Sequence, residues 1–375
     1  MTALYLHIPF CRSKCHYCSF SSCAGESDLY GPYVAALKKE IAHVAGPAPL
    51  LPLQSLFIGG GTPSILPCTL LTGIVAHCRA LFAMTPTIEI SVETNPGTVD
   101  EGYLRELFRA GVNRLSLGVQ SFNDRELRNL GRVHTAEEAI LAVQAARNAG
   151  FTNINMDLMC GLPGQNALSW RQSLTTALSL QPEHLSVYQL SIEPGTTFAD
   201  LVDRGKIELP GEDEILEFDH LTAEGCRAAG MHHYEISNYS LTGYECRHNV
   251  NYWLNEEYLA CGASAVSYRD GVREKRIAGG REYIRRLEAG LQVVVESERL
   301  PAEAAFRETV IMGLRLVRGV CCETLRQRYG RDIVQYYGPV LEKLLHLRLV
   351  ELTGTHLRLT DRGRPLANQV MAELV

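Results

Sequence analysis

What the chain lacks narrows its nature first. It has no secretory start: Met1-Thr2-Ala3-Leu4-Tyr5-Leu6 carries no basic stretch and runs straight into a strand-like pattern. No apolar run approaches the roughly 18 residues a membrane-spanning helix needs. Positive charge is not in excess: 36 Lys and Arg face 42 Asp and Glu, a net charge of -6, so nothing draws the whole molecule to nucleic acid or anionic lipid. Cysteine is sparse at 12 of 375 residues. That is far below the roughly 8–10% of disulfide-held scaffolds, and a chain this long buries enough surface to need no staples. There is no internal repeat and no low-complexity tract; 46–53 is a Pro-rich connection. These absences leave a globular, cytoplasmic protein, built as two or three domains or as one barrel with an appendix.

What is present is a rhythm. Short apolar runs predict strands at 3–8, 55–58, 87–93, 113–119, 152–158 and 184–190. Helical patterns lie between them near 27–45, 66–83, 98–110, 135–149 and 166–180. Strands alternating with helices imply right-handed crossovers and a parallel α/β sheet, whose chemistry collects at the carboxyl ends of the strands. The rhythm changes after about 195. A helical stretch near 211–229 precedes a histidine- and aromatic-rich segment at 231–253, and a hairpin-like stretch follows at 261–279. From about 302 the pattern is helix, helix, then a turn at Gly354 between two short strands, as in a winged helix. Residues 301–375 hold 11 Arg and Lys against 8 Asp and Glu without a basic stripe, which argues against a DNA-binding wing. The expected division is a partial barrel at 1–195, a middle region at 196–300 and a winged-helix-like unit at 301–375.

Cysteines bunch at one place. Cys11, Cys15 and Cys18 follow the first strand at i, i+4 and i+7. Three thiolates can hold three irons of a four-iron cluster and leave the fourth open to a small amine-and-carboxylate ligand. The alternative is a zinc site completed by His7, His16 or Cys23. Gly59-Gly60-Gly61-Thr62-Pro63 follows the second strand; its glycines let backbone N–H groups approach a ligand, or simply make a tight turn. No Gly-Lys-Ser/Thr follows, so it is not a P-loop. Glu93, Gln120 and Asp157 end the third, fourth and fifth strands, and Arg132 follows in Leu130-Gly131-Arg132-Val133-His134. Carboxylates can accept from ribose hydroxyls, and an arginine can grip a carboxylate as a fork.

The Cys-x3-Cys-x2-Cys loop after a first strand resembles the signature of the radical S-adenosylmethionine (SAM) superfamily. Tyr5-Leu6-His7-Ile8-Pro9-Phe10-Cys11 is similar to the branch of oxygen-independent coproporphyrinogen III oxidases (HemN) and haem chaperones (HemW). The resemblance spans essentially the whole chain. It implies a partial (β/α)6 barrel with a winged-helix-like extension. It also implies a [4Fe-4S] cluster on Cys11, Cys15 and Cys18, and SAM on the open iron, cleaved by an electron from the cluster to a 5′-deoxyadenosyl radical. Tyr5, Gly60, Glu93, Gln120, Arg132 and Asp157 match SAM-binding positions. Tyr17, Gly61, Thr62, Gln120, Arg132, Asp157 and Ser191 match positions tied to a second SAM in HemN.

Two departures separate the branches. Position 20 is Phe where HemN carries a fourth cysteine, and the long N-terminal extension of HemN is missing. Both favour HemW. Arg247-His248-Asn249-Val250-Asn251-Tyr252-Trp253 matches the His-Asn-x-x-Tyr-Trp haem-binding motif of that group. It implies haem iron on His248, with Tyr252 and Trp253 offering rings to the porphyrin; His232 and His233 are nearby alternatives, for which solvated or structural roles are expected. No Cys-x-x-Cys-His is present to attach haem covalently in the c-type manner. The functions implied are a haem chaperone that hands haem to recipient haemoproteins such as respiratory enzymes, or a radical SAM decarboxylase of coproporphyrinogen III. A zinc protein with a DNA-binding wing is the third reading. An electron donor such as flavodoxin or ferredoxin is the implied redox partner; a homodimer and a transient membrane contact stay open.

Overall fold

The computed structural model describes residues 2–46 and 52–375. Most of the Pro-rich connection falls on 47–51, outside the described residues. Six strands, β1 (Thr2–Ile8), β2 (Pro52–Gly60), β3 (Ala83–Thr94), β4 (Arg114–Gln120), β5 (Ile154–Cys160) and β6 (His184–Gln189), pair in parallel in chain order. Helices α1 (Tyr30–Ala45), α2 (Cys68–Leu81), α3 (Glu101–Arg109), α4 (Ala136–Ala149) and α5 (Ala167–Ser179) form the connections. This is the expected βα alternation, and the strands read as apolar because helices cover their outer faces.

Local chemistry explains the boundaries. Thr135 and Glu138 close a capping box at the start of α4, and Gly150, at φ 108°, ends that helix in the left-handed conformation. In β4, Arg114-Leu115-Ser116-Leu117-Gly118-Val119-Gln120, a period of two sends Leu115, Leu117 and Val119 into the core and the polar residues to the inner face.

The sheet is wider than the sequence predicts. Tyr258–Cys261 lies parallel to β1, pairing Ala3 with Tyr258. A hairpin, Val266–Arg269 and Val272–Arg276, continues outward from it, followed by Val294–Arg299. Asp270 and Gly271, both with positive φ, make the hairpin turn. Beyond β6 lie two short antiparallel strands, Asn238–Ser240 and His232–Glu235. At the carboxyl-terminal end, helices Ala302–Leu314, Cys322–Tyr329 and Ile333–His346 pack on a three-stranded sheet of Val320–Cys321, His356–Leu359 and Val350–Leu352. They share their own apolar core around Phe306, Val310, Leu341 and Leu357, the arrangement of a winged helix. Among the described residues no helix is long and apolar enough to cross a membrane.

The added strand is held by a buried charge. Glu40 of α1 accepts from Arg276 Nε at 2.9 Å, from the Gly262 N–H at 2.8 Å and from the Tyr283 hydroxyl. Both charged side chains are almost wholly buried. Removing one partner of such a pair leaves an uncompensated charge, at a cost of roughly 3–5 kcal/mol. Glu40→Ala is expected to lower stability by about that amount in a denaturant titration. A loss below about 1 kcal/mol would show that this edge of the sheet is held by its backbone pairing alone.

Candidate functional site

The carboxyl ends of the six strands open into a cavity of about 640 Å³, within the range of small-molecule sites. The ten implied SAM residues, the three cysteines and His248 all line it. Parallel pairing gathers the strand-end residues at one rim; His248 comes instead from a separate helix, packed deeper against Ser55 and Glu89.

The cysteine loop is docked on its neighbours. The His16 N–H donates to Leu130 O at 3.0 Å, and the His16 ring pairs with Asn129 O at 2.8 Å and lies over Gly131. The glycine run makes room for it. A Cβ on Gly61 would stand 2.6 Å from Phe10 O and 2.9 Å from Cys11 Sγ; one on Gly60, at φ 118°, would strike the His7 ring at 2.7 Å. Cys11, Cys15 and Cys18 are free thiols at the rim. Thr62 Oγ1 reaches Cys11 Sγ at 3.7 Å, and Arg132 reaches Cys15 Sγ at 3.5 Å. Such donors suit thiolates. Two candidates for a fourth zinc ligand are engaged elsewhere. His7 uses its ring nitrogens on Tyr5 and Ser21, and the Cys23 thiol on Pro9 O and Glu26.

Below the rim the inner face is charged. Glu93 Oε2 accepts from the Gly60 N–H at 2.9 Å. Burial, with Asp157 nearby, pushes the Glu93 carboxyl up to about 8. Asp157 is also raised by burial, against hydrogen bonds from Asn155, Ser186 and Ser116. Asn155 in turn bonds His184, whose other nitrogen meets the Tyr234 hydroxyl. Gln120 is held at φ 68°, an uncommon conformation for a residue with a side chain and one that marks functional strand ends.

Two expectations change in detail, and the lesser histidine alternatives fall away. Arg132 is not a free fork: its guanidinium donates to Asn95 Oδ1, to Gly118 O at 2.6 Å and to Cys15, leaving only a buried Nε without a partner. Trp253 does not face the cavity. His248, Asn249 and Tyr252 share the inward face of the helix Arg247–Trp253, whereas Trp253, one position past the i+4 residue, turns away under Arg315 at 4.3 Å. His232 pairs with Glu245, and His233 stacks on Tyr239, both away from the cavity.

His248 itself is 1% exposed, and burial lowers its pKa to about 3, so the ring is neutral. Its Nδ1 pairs with Ser55 Oγ and its Nε2 with the Tyr252 hydroxyl, both at 3.0 Å, and the ring stacks on Phe57. Glu89 fixes the helix, its carboxylate accepting from the N–H groups of Arg247 and His248 at 3.0 and 3.2 Å.

The sequence reading missed Arg114, Asn95, Asn155 and Tyr188, which also line the cavity. All except Asn95 lie within apolar strands, where the signal was the period-two polar face of each strand.

The fold and this cavity, with a cysteine loop at its rim, define a radical SAM protein: residues 5–177 match the Radical SAM superfamily and residues 300–366 the HemN C-terminal domain. The chain is 36% identical over 371 residues to the Heme chaperone HemW of Bacillus subtilis (strain 168), covering 99% of this chain and 98% of that one. It is 40% identical over 397 residues to the Heme chaperone HemW of Synechocystis, covering 100% and 96%. Among solved structures, the coproporphyrinogen III oxidase HemN of Escherichia coli, a radical SAM enzyme, superposes with a TM-score of 0.85 at 25% identity, covering 100% of this chain and 89% of that one. The chain belongs to the HemW family.

The raised Glu93 carboxyl sets a pH dependence. Its folded pKa of about 8 lies above the unfolded value near 4.5. The protonated form therefore favours folding at low pH, and that contribution is lost as pH rises between about 4.5 and 8. Glu93→Gln, which mimics the protonated acid, is expected to match the wild type at pH 5 and to exceed it by on the order of 2 kcal/mol at pH 8.5, the full shift being discounted for water in the cavity. Parallel stability curves for the two proteins would place the Glu93 titration elsewhere.

Proposed function

We propose that the chain binds haem and passes it to recipient haemoproteins, and that it carries a [4Fe-4S] cluster on Cys11, Cys15 and Cys18 with SAM in the cavity. The observation that carries the haem reading is His248 with Tyr252, the first and fifth positions of the His-Asn-x-x-Tyr-Trp motif, on one helix face at the cavity wall in a chain of the HemW family. The donor set fits the cluster: three thiols on one loop, a glycine cradle with no room for a Cβ beside Cys11, and Thr62 and Arg132 directed at two of the sulfurs. When bound, such a cluster supplies an electron to SAM.

The side chains divide the remaining work. Glu93 offers a carboxyl to the ribose hydroxyls of SAM, the Gly60 N–H holding that carboxyl in place, and Gln120 and Ser191 stand at the same wall. A neutral imidazole is the form of histidine that ligates iron, and burial keeps His248 in that form. Its Nε2 must exchange the Tyr252 hydroxyl for the metal, which costs one neutral hydrogen bond of about 1 kcal/mol. Phe20, 68% exposed at the rim, stands where a fourth cysteine would mark the oxidase.

Two variants test the ligand. His248→Ala is expected to shift and weaken the haem Soret band, whereas Tyr252→Phe, which frees Nε2, is expected to keep it and to bind haem a few-fold more tightly. Identical spectra in the wild type and His248→Ala would remove His248 as the ligand.

The triple Cys11→Ala, Cys15→Ala, Cys18→Ala variant is expected to lose the roughly four irons per chain taken up on anaerobic reconstitution. Retained iron and brown absorbance would remove the cluster assignment. Conversion of coproporphyrinogen III to protoporphyrinogen IX by the reconstituted wild type, with SAM and a reductant, would make the oxidase the function instead.

A further inference from the structure

Arg114 opens β4 on the inner face of the sheet. Strand register places it in one layer with Tyr5, Phe57 and Ser91, one layer below Glu93 and Ser116. It is 2% exposed and lines the cavity floor. Among the described residues its guanidinium makes no hydrogen bond and no ion pair, and its Nε is enclosed without a partner. The other deep arginines are engaged: Arg276 on Glu40, and Arg132 on Asn95, Gly118 and Cys15. Ser91, directly across from Arg114 on β3, also has a hydroxyl without a partner. The acids nearby are taken. The Glu89 oxygens accept from the backbone of Arg247 and His248, and Asp157 is bonded to Asn155 and Ser116. A guanidinium presents five donors in a planar fork that matches a carboxylate, and leaving it buried and unpaired is costly.

We propose that Arg114 is an anion subsite at the cavity floor that takes a carboxylate of the bound ligand. The proposal rests on the reading that the cavity takes SAM and haem, both of which carry carboxylates. The amino-acid end of a cluster-bound SAM belongs at the cysteine rim, at the other end of the strands from Arg114. A haem propionate, on the same macrocycle whose iron would meet His248, is the carboxylate placed to reach the floor. The subsite would therefore fix the orientation of the porphyrin, and the iron ligand would fix its depth.

The test separates the sources by chemistry. Affinities of the full chain are measured for haem and haem dimethyl ester, and for SAM and decarboxylated SAM, in the wild type, Arg114→Gln and Arg114→Lys. The wild type is expected to prefer haem over its ester by about tenfold, the worth of one charge-assisted pair. Arg114→Gln is expected to lose that preference and Arg114→Lys to keep part of it, with SAM discrimination unchanged. Loss of discrimination between SAM and its decarboxylated form instead would keep the subsite and assign it to SAM. If Arg114→Gln does not fold, Arg114→Lys reads the same ratio. Full discrimination in every variant, or none in the wild type, overturns the subsite while leaving haem and SAM binding standing. Absence of binding by the wild type overturns both.

Discussion

Ionisable groups on the inner face of the parallel sheet are largely withdrawn from water, which drives each to be protonated, hydrogen-bonded or paired. Each group meets that demand differently. Glu93 is pushed toward its neutral form. Asp157 stays within a web of Asn155, Ser116 and Ser186 that reaches His184 and Tyr234. Arg132 spends its donors on strand-end carbonyl groups and a cysteine sulfur. Arg114 alone of these is left without a partner. The same demand keeps the cavity open. A barrel interior is ordinarily filled by layers of apolar side chains, but a layer holding Ser91 and Arg114, and another holding Glu93, Ser116 and Asn155, cannot close on itself without burying bare charge.

The rim follows from the floor. Because Glu93 sits where a Cβ on Gly59 would touch its carboxyl at 2.9 Å, the second strand must end in glycine to reach it. The backbone that then turns away passes within contact distance of Cys11. The cysteine loop is held at its other side by the turn of Asn129–Gly131, which also delivers Arg132. One set of close approaches thus links an acid in the cavity to the sulfurs at its mouth. A substitution in the glycine run disturbs both together.

How much of this was legible in the sequence depends on where each residue stands on its strand. Residues at strand ends were legible because parallel crossovers gather those ends, so Glu93 and Gln120 could be placed without knowing any contact; Asp157, expected to end its strand, lies in its middle, since β5 runs on to Cys160, and it reaches the cavity by facing inward. Arg114 was not, since it opens its strand, where a single cation in an apolar run reads as a surface ion pair. Only the alternation down to Gln120 betrays its direction. Tyr258–Cys261 was missed for a different reason: four residues pair with β1 from far along the chain, and the buried Glu40–Arg276 pair that secures them joins positions 236 apart. Trp253 was misplaced by reading a motif as a cluster. On a helix it lies past the face shared by His248 and Tyr252, and no adjacency in sequence changes that.

The helix that carries His248 shows why its position can be held while its partner yields. Its first N–H groups are fixed by Glu89 on β3. Its far face is pinned by Arg315 over Trp253, at the end of the first helix of the carboxyl-terminal unit. The chain just beyond it is tied to the same unit, Asn255 donating to Thr309 and accepting from Arg328. With both ends and the outer face constrained, the helix cannot shift as a body to free the imidazole. Only rotation of the Tyr252 side chain, which costs a neutral hydrogen bond, is open to it. The carboxyl-terminal unit thus bears on the site without lining the cavity: through Trp253 and Asn255 it holds the helix that sets His248 against Ser55 and Phe57.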